Sequence, residues 1–418
     1  MAAAVALAER GIQVTVFESA KQLGGRARGV MHENTQLDNG QHLLLGCYKE
    51  TLGIIGKVGG HIEDDFLRLP LQLDLHGHFR LKAPRLPAPY HLLAALINVH
   101  GLTWKERISA SRFMLKLRKI NFKLDCDLAT AEFLERHGQS VQLVQKLWEP
   151  LCIAALNTPV HMASAQVLLN VLKDALNQTR SDSDMLLPRI DFTSLFPARA
   201  ASHVKKRGCH VLTSCGVESV NSYENGMKIT TKRGDLYFSH VICATAPTAA
   251  ARLLRPITAL SPVVEKIEAL QHQPIYTVYL QYPKQVRLPK PMSGLHQRYS
   301  QWLFDRGQIA GQHGLIASVI SAEGLHQDLS QDELAQKVIE ELKEEFGIAV
   351  TPQWYKIIAE KRATFSCTPN LSRPDPKTPL PCLFLAGDYT QGDYPATLEG
   401  AVQSGLRCAS ILTQQLGT

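Results

Sequence analysis

Residues 1–28 read MAAAVALAERGIQVTVFESAKQLGGRAR. The small residues of 2–10 predict a short helix that stops at Gly11. Residues 12–17 (IQVTVF) alternate as a strand and end at an acid, Glu18. KQLGGRARGV then reads as a glycine turn carrying two arginines. Helix, strand and turn follow in the order found inside a nucleotide-binding unit, whose opening strand and glycine-rich loop are expected ahead of Met1. That piece is on the order of a dozen residues, a strand plus a six-residue loop. The expectation is a start site upstream of Met1 and, failing that, a nucleotide held weakly.

An acid that ends a strand after a crossover helix is how dinucleotide folds hold an adenosine ribose, its carboxylate accepting from the 2′ and 3′ hydroxyls. Glu18 has that position. Six residues on, Gly24-Gly25 lets backbone approach a pyrophosphate, and Arg26 supplies a cation that can fork onto its oxygens. A third stretch lies far away at 383–409, LFLAGDYTQGDYPATLEGAVQSGLRCA. An apolar strand ends there in Gly387-Asp388, and a helix starting near Thr397 carries the small residues Gly400, Ala401, Ser404 and Gly405. Such a helix packs closely on a neighbour and offers free amides to an anion.

Between these parts the chain changes style. Residues 60–200 read as mostly helical, with segments at 91–97, 105–123, 128–137, 140–149 and 163–178 broken by prolines that include Pro150. Short strands return from 208, with Asn225-Gly226 and Arg233-Gly234 as hairpin turns. Residues 274–282 and 314–320 read as strands of a second sheet, and 331–347 as an amphipathic helix capped by Gly347. The proline-rich stretch 369–381 leads into a strand at 382–386 and a last helix over about 397–415. No internal repeat or low-complexity segment is visible.

At 418 residues, 45% hydrophobic and 20% charged, the chain can build two domains with proper cores. No apolar run approaches the roughly 20 residues that span a bilayer, and no signal peptide is apparent. Nine scattered cysteines without a CxxC pair point to reduced thiols in the cytoplasm and away from a disulfide scaffold or a metal site. The net charge is +7, and its distribution matters more than its total. Residues 80–123 hold ten cations against one anion, Glu106, together with the apolar run 92–97. Basic and apolar residues together suit an anionic membrane surface better than a nucleic-acid groove, where stacking aromatics are expected. A solvated basic helix over its own core is the plainer alternative.

VTVFESAKQLGGRAR (14–28), VICATAP (241–247) and LAGDYTQGDYPATLEGAVQSG (385–405) resemble the FAD-binding segments of the amine oxidase and phytoene desaturase superfamily. LDNGQHLLLGCYKET (37–51) and LWEPLCIAALNTPVHMASAQVL (147–168) resemble, more narrowly, the hydroxysqualene dehydroxylases. The resemblance implies an α/β chain. A discontinuous glutathione-reductase-type (Rossmann-like) FAD domain would be formed by 1–60, 200–255 and 360–418. A helical plus β-sheet substrate domain would be formed by 61–199 and 256–359; the basic and apolar composition noted above, not the resemblance, adds the expectation of membrane-facing helices near 84–123. The resemblance further implies FAD with Glu18 at the ribose, and Gly24, Gly25 and Arg26 at the pyrophosphate. Val217 would flank the adenine, Gly387 and Asp388 would meet the ribityl or pyrophosphate region, and Ala396, Thr397 and Leu398 would sit at the isoalloxazine.

The implied reaction replaces the hydroxyl of hydroxysqualene by hydrogen, giving squalene. It needs hydride from reduced flavin, an acid that helps hydroxide leave, and a dry apolar tunnel for a polyprenoid. His42 is the first candidate acid, with Asp38, Tyr394 and Glu399 behind it. A histidine beside glycines is equally a structural bond, and 38–40 equally a turn. Trp148 and Asn157 are tunnel candidates, with helix core the plainer reading for Trp148. The partners implied are the lipophilic substrate, a peripheral contact with the inner membrane, and enzymes that precede this one in making squalene. Two flavoenzyme alternatives remain, a carotenoid-type desaturase or isomerase and an amine oxidase. No aromatic pair that would cage an amine is evident. A non-catalytic relic that no longer binds FAD is the alternative of another class.

Overall fold

The computed structural model describes residues 1–176 and 178–417. Two parallel strand pairs join the segments 1–60, 200–255 and 360–418. Thr15–Phe17 lies beside His210–Leu212, and Val241–Cys243 beside Leu383–Leu385. The two pairs are separate sheets, and the same two helices cover both. Ala2–Ala8 buries Ala4, Val5 and Ala8 with Val211 and Val204, while its Leu7 joins Phe384, Cys408 and Leu412. Leu398–Leu416 packs directly against it. Gly405 makes that packing possible, because a Cβ there would stand 3.2 Å from the Ala3 amide nitrogen and 3.3 Å from Ala2 Cβ.

The largest sheet has seven strands, ordered Trp354–Phe365, His272–Gln281, Leu315–Ser321, Trp302–Asp305, Met292–Gly294, Gln72–Leu75 and Phe79–Lys82. Its longest contacts are antiparallel, with Val278 opposite Ser318 and Ile357. Side chains alternate across it as the pleat requires. Val278 and Leu280 pack under the Gln331–Phe346 helix, whereas Tyr279 enters the large core shared with the helices.

Residues 60–200 differ from the helical reading in several places, beginning with strands at Phe66–Leu69 and Met185–Pro188, which pair with each other. Gln72–Leu75 and Phe79–Lys82 are strands of the seven-stranded sheet, joined to it by Leu75 opposite Gly294. Their Leu73, Leu75, Phe79 and Leu81 are buried at period two, an alternation that the surrounding helices and prolines mask in a coarse reading. The helix expected to stop at 149 instead continues. Val141–Leu143, a π-helical Val144–Trp148 and Glu149–Leu156 form one rod through Pro150. The widened turn before the proline accommodates a residue that cannot donate to the carbonyl one turn back. The helix expected over 163–178 runs Ala165–Leu176; Asn177 lies outside the described residues. Val217–Tyr223, Gly226–Thr231 and Gly234–Phe238 form the expected meander with turns at 224–226 and 232–234.

Candidate functional site

Glu18 follows directly on the strand Thr15–Phe17, and its amide donates to the Leu212 carbonyl at 2.9 Å. Its carboxylate accepts from the Ala20 amide at 2.8 Å, which closes a tight turn. The segment after His210–Leu212 is laid on this turn, the Ser214 amide bonding to Ala20 O and the Cys215 amide to Glu18 O, both at 2.9 Å. Val217 begins the next strand at once. Glu18 and Val217, 199 positions apart in the chain, therefore flank one end of the Thr15–Phe17 and His210–Leu212 pair.

Gly24 and Gly25 have φ of +121° and +59°. A Cβ on Gly24 would stand 2.5 Å from the Ala27 carbonyl, while nothing lies within 4 Å of one on Gly25. The backbone is thus bent and uncovered at Gly25. Next to it, Arg26 donates to Asp388 Oδ2 at 2.6 Å and to the Ala363 carbonyl. Both terminal nitrogens of Arg26 are engaged by protein, which differs from the expected fork onto a pyrophosphate. The cause is Asp388, buried at 8% exposure and in need of a cation.

Asp388 lies between Gly387 and the loop 389–397. Arg373, from the proline-rich stretch, ties this loop down by donating to the carbonyls of Asp388 (3.3 Å), Tyr394 (3.0 Å) and Gly392. Thr397 caps the following helix, its hydroxyl accepting from the Gly400 amide at 3.1 Å. Ala396 and Leu398 pack half-buried against the large core. Tyr394 donates to Asp174 Oδ2 at 2.6 Å, and burial followed by that carboxylate holds its phenol protonated well beyond the ordinary range. Its ring meets Tyr48 edge to face, 6.4 Å between centroids. This aromatic pair was not evident in the sequence, and at 75° the rings do not form the parallel walls of an amine cage.

The turn 38–42 packs on the other side of Arg26, with Asn39 Nδ2 donating to the Arg26 carbonyl at 3.1 Å. Asp38 is buried, accepts from the Phe192 amide at 2.8 Å, and its own carbonyl accepts from the Tyr279 hydroxyl at 3.0 Å. Burial raises its carboxyl to about 7; the Phe192 amide and the Arg306 charge oppose that rise. His42 Nδ1 lies 2.5 Å from the Gly40 carbonyl. A carbonyl only accepts, so Nδ1 holds the ring hydrogen and Nε2 carries a lone pair. Burial lowers the His42 pKa to about 4, with the Arg26 charge acting the same way. At neutral pH His42 is an acceptor with no proton to give, which separates it from the role first considered for it.

Three other candidates are tied into the scaffold. Trp148 donates to Gln139 Oε1 at 2.9 Å and stacks edge to face on Phe113, inside the helical core. Asn157 has φ of +47° and joins three elements, donating to Pro274 O and Thr364 Oγ1 and accepting from the Ala322 amide at 2.7 Å. Glu399 accepts from the Glu50 and Thr51 amides and from the Thr51 hydroxyl. The residues not singled out from sequence are Asp174, Tyr279, Arg306 and Arg373. Each reaches the site from a distant element, and none carries a local motif.

The model of the family described as flavin containing amine oxidoreductase matches residues 1–413. The chain belongs to that family. FAD is accordingly its cofactor, and an α/β flavin oxidoreductase is its class. Among relatives, a hydroxysqualene dehydroxylase of Rhodopseudomonas palustris is 29% identical, the alignment covering 99% of this chain and 95% of the relative. A probable zeta-carotene desaturase of Synechococcus elongatus is 22% identical over 99% and 96%. A solved oxidoreductase structure from Methanosarcina mazei has a TM-score of 0.77 at 13% identity, covering 98% of this chain and 97% of that one.

The donor set of this flavin family member suits FAD. A carboxylate follows a parallel strand, a bent glycine pair leaves its backbone uncovered, a partly exposed guanidinium neighbours it, and a capped 19-residue helix starts at Leu398.

Proposed function

We propose that this chain is an FAD-dependent hydroxysqualene dehydroxylase. The single observation that carries the reading is full-length similarity to an enzyme of that name. Glu18 would hold the adenosine ribose and Val217 the adenine edge. Gly24, Gly25 and Arg26 would face the pyrophosphate, Gly387 and Asp388 the ribityl region, and Ala396, Thr397 and Leu398 the isoalloxazine. FAD, once reduced, supplies hydride.

The chain's own part is the proton. The alcohol carbon gains hydride as its C–O bond breaks, and the departing hydroxide takes a proton to leave as water, so squalene and water are the products. Asp38 is the best proton carrier in this part of the structure, because a carboxyl whose pKa is about 7 holds a proton at neutrality and can still release it. His42, Phe192 and Tyr279 shape its surroundings. Tyr394, Ala396 and Leu398 belong to the large apolar core, surroundings that suit a hydrocarbon substrate better than a charged one. The substrate would come from a cytoplasmic enzyme that joins prenyl units, and the product would feed hopanoid formation.

Anaerobic incubation of the reduced, FAD-loaded protein with hydroxysqualene tests this reading. Squalene in the lipid extract is the expected result; unchanged hydroxysqualene from a fully flavinylated sample overturns it. Similarity to a zeta-carotene desaturase supports a second reading, desaturation of another polyprenoid. The same assay with carotene precursors separates the two. Protein that stays colourless after FAD is added would instead favour a non-catalytic relic.

A further inference from the structure

Sixteen large apolar side chains are exposed among the described residues, and seven of them fall between 86 and 120: Leu86, Tyr90, Ile97, Trp104, Ile108, Leu115 and Ile120. The same stretch holds the concentration of cations noted above. Its one anion, Glu106, faces inward, accepting from Thr103 and Ser140.

The helix Trp104–Lys119 arranges these residues in a definite order around its axis. Ala110, Phe113, Met114 and Leu117 form its buried face. On the opposite face, Trp104, Ile108 and Leu115 fall within an arc of about 40° at 3.6 residues per turn. Arg107 and Arg118 lie on one flank of that apolar stripe, and Arg112, Lys105, Lys116 and Lys119 on the other. The helix therefore has two apolar faces, one filled by its own core and one uncovered, and the uncovered one runs between two rows of positive charge.

The neighbouring helix, Tyr90–Ile97, continues the stripe. Arg107 donates to the Ile97 carbonyl at 3.0 Å while its guanidinium lies 5.7 Å from the Trp104 ring centroid, so Ile97 and Trp104 sit on one surface. A helix solvated for its own sake would not place a tryptophan at 61% exposure beside an isoleucine at 46%. Nucleic acid would leave the central aliphatic stripe without a partner. No described helix is long and apolar enough to cross a membrane, so contact of this surface with a bilayer would lie in the membrane plane.

We infer that residues 86–120 form an in-plane docking surface for an anionic phospholipid bilayer. Trp104, Ile97, Ile108 and Leu115 would enter the acyl boundary, with the flanking lysines and arginines at the lipid phosphates. The inference stands on this surface alone and does not depend on which polyprenoid the enzyme converts.

The test is vesicle co-sedimentation of the full chain with FAD present and substrate absent. Vesicles of phosphatidylcholine are compared with vesicles that also contain phosphatidylglycerol. Binding to the anionic vesicles, weakened by salt and accompanied by a blue shift in tryptophan emission that W104F removes, is the expected result. The exposed-site variant I97E/W104E/I108E should keep its melting temperature and lose binding. K105E/R112E/K116E should lower apparent affinity roughly tenfold or more. Failure to bind either vesicle, or unchanged binding by the first variant, overturns the inference. So does a lipid-free dimer that the first variant dissolves, because the surface then belongs to a second copy. Loss of vesicle binding with retained turnover of detergent-dispersed substrate separates this inference from the reaction proposed above.

Discussion

Arg26 and Asp388 meet at 2.6 Å across 362 positions of chain, and only one of them is shielded from water: the Asp388 side chain is 8% exposed, the Arg26 side chain 34%. The pair locks the glycine turn of the first segment to the strand end of the last. Its two members are not equivalent on removal. R26M strands a buried carboxylate, whereas D388N leaves a guanidinium that water reaches. R26M should therefore cost about 1–3 kcal/mol more in a denaturant titration, and both variants should bind FAD more weakly by flavin fluorescence. Equal stability losses would show that the carboxylate finds another partner.

Asp38 makes stability depend on pH in an unusual direction. Its carboxyl is raised from an ordinary value of 3.8 to about 7, so between these values the folded chain holds a proton that the unfolded chain has released. The contribution of Asp38 to stability is then greatest below about pH 4, falls as pH rises toward 7, and levels off above. D38N should flatten that slope, the difference amounting to a few kcal/mol on the order-of-magnitude scale of linkage. Parallel thermal melts of both proteins from pH 4 to 8 measure it. Under the proposed reaction, turnover of the native enzyme falls above pH 7, and D38N is slow throughout.

Asn157 combines a left-handed backbone with three hydrogen bonds from its side chain. N157G relieves the backbone and still loses the bonds, leaving the Ala322 amide and the Pro274 carbonyl short of partners. Each of N157G and N157A should lower stability by about 2–4 kcal/mol, with N157A the worse of the two. A neutral N157G would mean that the conformation, not the bonding, selects asparagine here.

Gly405 sets the separation of the two helices over the parallel strands. G405A asks Ala2 and Ala3 to give by a few tenths of an ångström and should cost about 1 kcal/mol, while G405L should cost about 3 kcal/mol or more and weaken FAD retention. Melting temperature and bound flavin measured on the same samples test both parts.

The parts of this protein that were legible in its sequence are those written locally. Strand alternation in 12–17 and 274–282, the glycine pair at 24–25 and the hairpin turns at 225–226 and 233–234 each declare a backbone preference within a few residues. Even Glu18 is found this way, because the strand before it sets its place. Asp174, Arg306 and Arg373 are a different case. Their roles arise from what tertiary packing brings to them: a phenol, a buried carboxylate, a row of loop carbonyls. His42 was read as a candidate acid or a structural bond beside glycines, whereas its burial, the direction of its hydrogen bond and its lowered pKa belong to the folded surroundings. Pro150 misled for the same reason, since the π-helical turn that accommodates it is a property of the whole rod.

The strand pairs also carry a consequence for biosynthesis. Thr15–Phe17 has its partner at His210–Leu212, and Val241–Cys243 waits for Leu383–Leu385. At the usual 5–20 residues per second, a ribosome takes on the order of ten to forty seconds to make the roughly 195 residues between the first two partners. Throughout that interval the apolar edge of Thr15–Phe17 is without its mate, in the company of whatever chaperones attend the nascent chain. The last helix emerges later still, so the second strand pair and its helical cover assemble only after the residues up to Leu416 have been made.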